Sequence, residues 1–228
     1  MKIVNTILFI AFLALVQNGE AQGFVNLDFE AATVSQTQAP GNVSASDALP
    51  DWNAYYGGNQ QTQIGFNAVN SGIAQVALLG TNGVGETSIE GSFSVFLQGT
   101  YIETLPSGRI LGEEVSITQS GLVLVTAQSI FFKAQPGTET LLMSLAGQNI
   151  PFVALASEPN YTLYGGDVSA YANQSLELAF TVLSSSSGQT GWNLDSIEFS
   201  SQPVPEPSEF ALGALGALLL GFRRKIES

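Results

Sequence analysis

The sequence predicts an all-β fold: a jelly-roll-type β-sandwich of about eight or nine strands, flanked by an N-terminal signal peptide and a C-terminal apolar helix. Three observations predict it. Across residues 22–202, short runs rich in Val, Ile, Phe and Tyr are punctuated by Gly, Ser, Thr, Asn and Gln, the composition of strands and turns. Several runs alternate apolar and polar residues with period two, as half-buried strands do. No 11-residue window in this body carries a convincing 3.6-residue period, so the alternating sets are best buried between two facing sheets.

The elements follow in chain order. Met1-Lys2 places one positive charge before an apolar run from Ile3 to Val16, broken only by Asn5 and Thr6. Gly19-Glu20-Ala21 then supplies small residues at the −3 and −1 positions of a signal-peptidase site, so residues 1–21 read as a signal peptide and the mature chain as starting at Gln22. A retained anchor is the alternative, although the run is short for a span. In the body, Val25, Leu27 and Phe29 alternate with Asn26, Asp28 and Glu30, which predicts a first strand. Phe93, Val95 and Leu97 alternate likewise, with Phe96 adding an apolar residue on the other face. Ser129–Lys133, Leu141–Leu145 and the alternating Leu176, Leu178, Phe180 and Val182 are further strands, and Asp167–Tyr171 fits one helical turn.

In the last strand, Trp192 and Leu194 are even-numbered while Ile197 and Phe199 are odd. A regular strand would send the two pairs to opposite faces, which predicts a bulge at Asp195-Ser196. No interior linker or repeat is evident, so the body reads as one domain of about 180 residues.

Beyond residue 203 the character changes. Prolines at 203, 205 and 207 each fix φ and lack an N–H, which makes an extended spacer. Thirteen nearly uninterrupted apolar residues, Phe210 to Phe222, are followed by Arg223-Arg224-Lys225. As a helix they span roughly 20 Å against a hydrocarbon core of about 30 Å. Snorkelling by the three basic residues closes much of the gap and favours the cytoplasmic side for them. A buried core helix is the alternative, but it would show a polar face, and this segment is apolar all round.

Charge and residue types exclude much chemistry. The body keeps Arg109 and Lys133 against fifteen acids, the same net −13 as the whole chain. Nucleic-acid binding needs basic surface, which is nearly absent here. Calcium, bound by carboxylate and carbonyl oxygen, is the cation such a surface would attract, while plain solubility is the alternative use of the acidity. With no His and no Cys, Ser-His-Asp and Cys-His catalysis and imidazole or thiolate metal sites are excluded. A carboxylate pair of glycoside-hydrolase type survives that filter, but Glu113 and Glu114, adjacent on a strand, would point apart. The expectation is a non-enzymatic protein. Trp52, Tyr55 and Tyr56 cluster in a glycine-bounded stretch with Asp51, Asn53 and Asn59, a combination that suits sugar stacking and hydroxyl recognition. Core packing is the competing use of Trp52.

Two resemblances extend this reading. The order Pro205-Glu206-Pro207, Ser208, Phe210-Ala211-Leu212 and a terminal basic cluster resembles the PEP-CTERM sorting signal of Gram-negative bacteria. That resemblance implies export to the cell envelope, outer surface or extracellular matrix. It also implies processing by signal peptidase and an exosortase-type transpeptidase, with transient membrane insertion of residues 203–228. Gly23–Glu30 with Trp52, and Trp192–Phe199 near the end, resemble the opening and closing strands of galactose-binding-like jelly rolls. By that resemblance extracellular polysaccharide is a candidate partner, the first and last strands are neighbours, and Glu30 and Asp195 are candidate ligands of a structural calcium. Ser196 stands where the pattern carries a second Asp.

Overall fold

The structure is a computed structural model and describes residues 23–70, 73–83, 86–100, 103–104, 110–185 and 190–205. The signal peptide, Arg109, Glu206, Pro207 and the Arg223-Arg224-Lys225 cluster lie outside the described residues, and Pro205 is the last one within them.

β1 (Gly41–Ser44) leads into a single helical turn, α1 (Ala45–Ala48). β2 (Asn53–Tyr56) and β3 (Asn59–Gln61) form a hairpin, followed by β4 (Gln63–Phe66), β5 (Gln75–Gly80) and β6 (Phe93–Gln98). A two-residue pair, β7 (Glu103–Thr104) and β8 (Ile110–Leu111), precedes the long β9 (Val115–Leu122). Next come β10 (Ser129–Gln135), β11 (Leu141–Leu145), β12 (Gln148–Asn149), β13 (Phe152–Ser157) and β14 (Thr162–Asp167). A 3-10 turn (Ser169–Tyr171), β15 (Ser175–Val182) and β16 (Trp192–Ser200) complete the described chain.

Two sheets make a sandwich. One is eight-stranded, ordered β1-β4-β5-β6-β16-β10-β14-β13, and the other six-stranded, ordered β12-β11-β15-β9-β2-β3. Every pairing is antiparallel except β4 with β5. The described residues hold sixteen strands, more than the eight or nine expected, because seven are pieces of two to four residues too short to show a period. The core draws Leu78, Val95, Leu97, Ile130, Phe132 and Leu194 from the first sheet and Ile117, Leu145, Phe180 and Val182 from the second. Phe132 anchors it, stacked on Tyr164 and edge-on to Phe152 and Phe180. The second apolar face of β6 is also covered, since Phe96 joins Ala77 and Leu79 in a small cluster under Val69.

A bulge is present one residue beyond the expected Asp195-Ser196 step, at Ser196-Ile197. Asp195 pairs with Lys133 and Glu198 with Phe131, so Ser196 and Ile197 together oppose Phe132. Ser196 takes φ 49°, the local left-handed geometry that lets two residues face one. As a result Trp192, Leu194 and Ile197 are all buried in one core, with Phe199 packed against it. The helical turn expected at Asp167–Tyr171 is the 3-10 turn. The Asp167 carboxylate accepts the Ser169 N–H at 2.8 Å, which holds its pKa below the ordinary value.

One expected strand is corrected. Val25–Phe29 forms no ladder; among these N-terminal residues only Gly23 makes a bridge, parallel to Leu122. Asn26 and Phe29 sit at φ 49° and 59°, which ends the extended conformation. The segment is instead fastened by side chains. The Gln119 amide accepts from Val25 N–H at 2.8 Å and donates to Val25 C=O at 2.9 Å, replacing a ladder step. Ile197 N–H donates to the Leu27 carbonyl, so the N-terminal segment does lie beside the closing strand.

Candidate functional site

The bulge in β16 gathers the acidic residues of interest. Asp195 is 1% exposed. Its Oδ2 accepts the Glu90 N–H at 3.0 Å and its Oδ1 the Ser196 N–H at 2.6 Å. Glu30 Oε1 accepts the Ser92 and Phe93 N–H groups at 2.7 and 3.0 Å. The two carboxylates thus hold the loop leading into β6 from both sides. Gly91 sits at φ 57°, which disfavours any side chain, and a Cβ there would also displace the Glu30 carboxylate from its N–H donors.

Burial pushes the Asp195 carboxyl up to about 7, and the charges of Glu30 and Glu90 add to the rise, while the two N–H donors temper it. Glu90 behaves oppositely. It is exposed, forms an ion pair with Lys133 and accepts from Ser196 Oγ at 3.0 Å, and the Lys133 hydrogen bond leads in lowering its pKa. Lys133 is raised in turn, mainly by Glu90, and lies 5.2 Å from the centre of the Tyr161 ring.

The fold therefore brings Glu30 and Asp195 together, as expected of a calcium pair. Both Asp195 oxygens and Glu30 Oε1, however, accept backbone N–H donors, and the Lys133 ammonium lies on the Asp195 side, paired with Glu90. Among the described residues no group of three or more acidic side chains is disposed to hold a metal ion. The arrangement works as a clamp on the loop.

The aromatic platform is corrected. Residues 53–56 form β2, so side chains alternate between faces. Trp52 is 4% exposed, 5.7 Å from Phe29 between ring centres, and its indole N–H donates to the Asn26 carbonyl at 3.0 Å. Tyr56 packs against the core, and its hydroxyl accepts the Val76 N–H at 3.0 Å and donates to the Val76 carbonyl at 3.4 Å. Tyr55 alternates with these inward residues and stands on the outer face. The three rings share no surface.

What this hairpin does offer is a shallow groove beside α1, lined by Ser44, Ser46, Trp52, Asn53, Gln60 and Thr62 among others. The Gly57-Gly58 turn, both residues at positive φ, supports the hairpin. Gln60 Nε2 donates to Asn53 Oδ1 at 2.8 Å, which fixes both amides.

A second buried acid was not apparent from the sequence. Glu139 is 3% exposed, and neither carboxylate oxygen makes a hydrogen bond of ordinary geometry, the Gly99 N–H being only nearby. Burial raises it to about 7, an effect the nearby Gly99 N–H partly offsets. Its backbone carbonyl accepts the Trp192 indole N–H at 2.7 Å, so the residue is fixed by its main chain. A lone Glu in a Pro-Gly-Thr-Glu-Thr loop carries no pattern that announces burial. Glu113 and Glu114, expected on a strand, lie just before β9, both exposed.

Among the described residues no helix is long and apolar enough to cross a membrane. No protein-family model matches the chain, and no curated protein matches it. Among solved structures, the enzymatically active domain of tailspike protein 4 of bacteriophage CBA120 aligns over 75% of this chain and 21% of its own, at 17% identity and a TM-score of 0.38.

Proposed function

We propose that the chain is an exported, non-enzymatic surface or matrix protein, delivered and processed through residues 203–228, with a structural or adhesive role. The carrying observation is the tripartite tail: Pro205-Glu206-Pro207, an apolar stretch and Arg223-Arg224-Lys225 in sequence. It is supported by the end of strand pairing at Ser200, after which residues 203–205 have no regular structure. The sandwich is read as the jelly-roll type, supported by the N-terminal segment lying against β16 in mid-sheet. The two buried acids have structural surroundings: Asp195 accepts two backbone N–H groups, and Glu139 is enclosed.

Intact mass and cell fractionation test this reading, on the native chain and on one lacking residues 205–228. The expected native product lacks residues 1–21 and is cut near Pro205–Pro207, while the truncated chain loses envelope retention. An uncut chain in the cytoplasm would overturn it.

A second reading, polysaccharide binding, is favoured by one observation: the amide- and hydroxyl-lined groove beside the β2–β3 hairpin. Its contacts would be Asn53, Gln60 and Gln61, with the outward Tyr55 alongside. Glycan-array binding lost in Gln60→Ala and Tyr55→Ala would support it, and no binding to any glycan would remove it.

A further inference from the structure

Both ends of the described chain leave the sandwich at one place. Gly23 bridges to Leu122, and Phe24 stacks on Phe199 with ring centres 5.0 Å apart. At the other terminus, Gln128 donates to the Ser201 carbonyl and Ser129 Oγ to the Gln202 carbonyl. Leu122, Gln128 and Ser129 bracket the turn that joins β9 to β10. No charged residue occurs between Glu114 and Lys133, so this turn is neutral. At its tip Leu124 is 54% and Val125 72% exposed, two adjacent large apolar side chains turned to solvent. Leu124 also walls an apolar groove with Phe24, Leu27, Ile197 and Phe199.

From Pro205 to the apolar stretch at Phe210 is five residues, a reach of at most about 17 Å. A bilayer that accepts Phe210–Phe222 therefore lies close to this turn.

We propose that the β9–β10 turn is the membrane-facing tip of the protein, with Leu124 and Val125 seated in the interfacial layer of the bilayer that holds the C-terminal segment. This rests on the reading of residues 203–228 as a membrane-entering tail. Small apolar tips partition into the interface by burying apolar area. Glu198 borders the groove and Asp167 ends β14 at the same end of the sandwich, so the surface suits zwitterionic lipid and disfavours anionic head groups. A second copy is disfavoured as the occupant, because each chain carries net −13.

The chain has no cysteine, so Val125→Cys and, at the opposite end of the sandwich, Thr140→Cys each accept a single polarity-sensitive fluorophore. Both positions are exposed, and neither substitution touches the core. The chain from Gln22 to Ser228, tail included, is reconstituted into phosphatidylcholine vesicles carrying a head-group quencher, then floated. The expected result is co-flotation with a blue shift and several-fold stronger quenching at position 125 than at 140. Adding phosphatidylglycerol should weaken the difference.

Flotation with equal quenching at both positions overturns the inference while leaving the tail reading intact. Failure to float overturns both. A blue shift at position 125 without vesicles also overturns the inference, pointing to a second copy if it depends on protein concentration and to the chain's own tail if it does not.

Discussion

The side-chain amide of Gln119 forms both hydrogen bonds of a ladder step with the backbone of Val25, accepting at 2.8 Å and donating at 2.9 Å across 94 residues of sequence. Gln119 is itself buried, so these bonds are shielded from water. Its partner segment has positive-φ residues and no strand pairing, and it is held by this amide, the Phe24–Phe199 stack and the Ile197-to-Leu27 hydrogen bond.

Gln119→Leu should therefore leave the Val25 N–H and C=O without partners and cost about 1–3 kcal/mol. Amide hydrogen exchange at Val25 should rise well before the sandwich core becomes exchangeable. Unchanged protection at Val25 would show that the stack alone holds the segment.

Stability should fall as pH rises from the ordinary carboxylate range to about 7. Burial raises both Asp195 and Glu139 to about 7 in the folded protein, so the folded state binds more protons than the unfolded one across that window. Ionisation there favours the unfolded chain, and above the window the loss is complete. Glu139→Gln should flatten the slope and gain on the order of 1–3 kcal/mol at pH 8, with little change at pH 4, because no hydrogen bond is lost at its carboxylate. Urea denaturation at the two pH values measures it, and a slope unchanged in the variant would contradict the assignment.

Calcium should leave the melting temperature unchanged. Glu30 and Asp195 accept from four backbone N–H groups, and Lys133 already supplies a positive charge near Asp195. Glu30→Gln should lower stability by about 1 kcal/mol with or without the ion, since hydrogen bonds to a charged acceptor are weakened. A calcium-induced upward shift that disappears in Glu30→Gln would instead establish an ion site.

Trp52→Ala should cost about 3–5 kcal/mol, the range for emptying a buried aromatic site, because the ring lies beside Phe29 in the core. Tyr55→Ala should change the urea midpoint little, since that ring lies on the outer face of an edge hairpin. If the two variants were equally stable, the inward placement of Trp52 would be in error.

By itself the sequence determined the all-β class, because period-two alternation such as Leu176 to Val182 can be buried only by a sheet. It also determined that β16 bulges between Leu194 and Ile197, since the parity change admits no regular strand that buries both, although the bulged pair is Ser196-Ile197. The reading of the tail rests on residue order alone, since residues 206–228 lie outside the described residues. Only the tertiary structure decided the fate of Val25–Phe29, whose alternation reads as a strand. Asn26 and Phe29 turn at positive φ, and a glutamine 94 residues away supplies the bonds a neighbouring strand would have made. It likewise divided Trp52, Tyr55 and Tyr56 between two faces, and it enclosed Asp195 and Glu139. Local pattern records which face a residue takes along its own strand. Burial of an acid and the sharing of a surface depend on which distant strands come to lie beside it, and that information is spread over the whole chain.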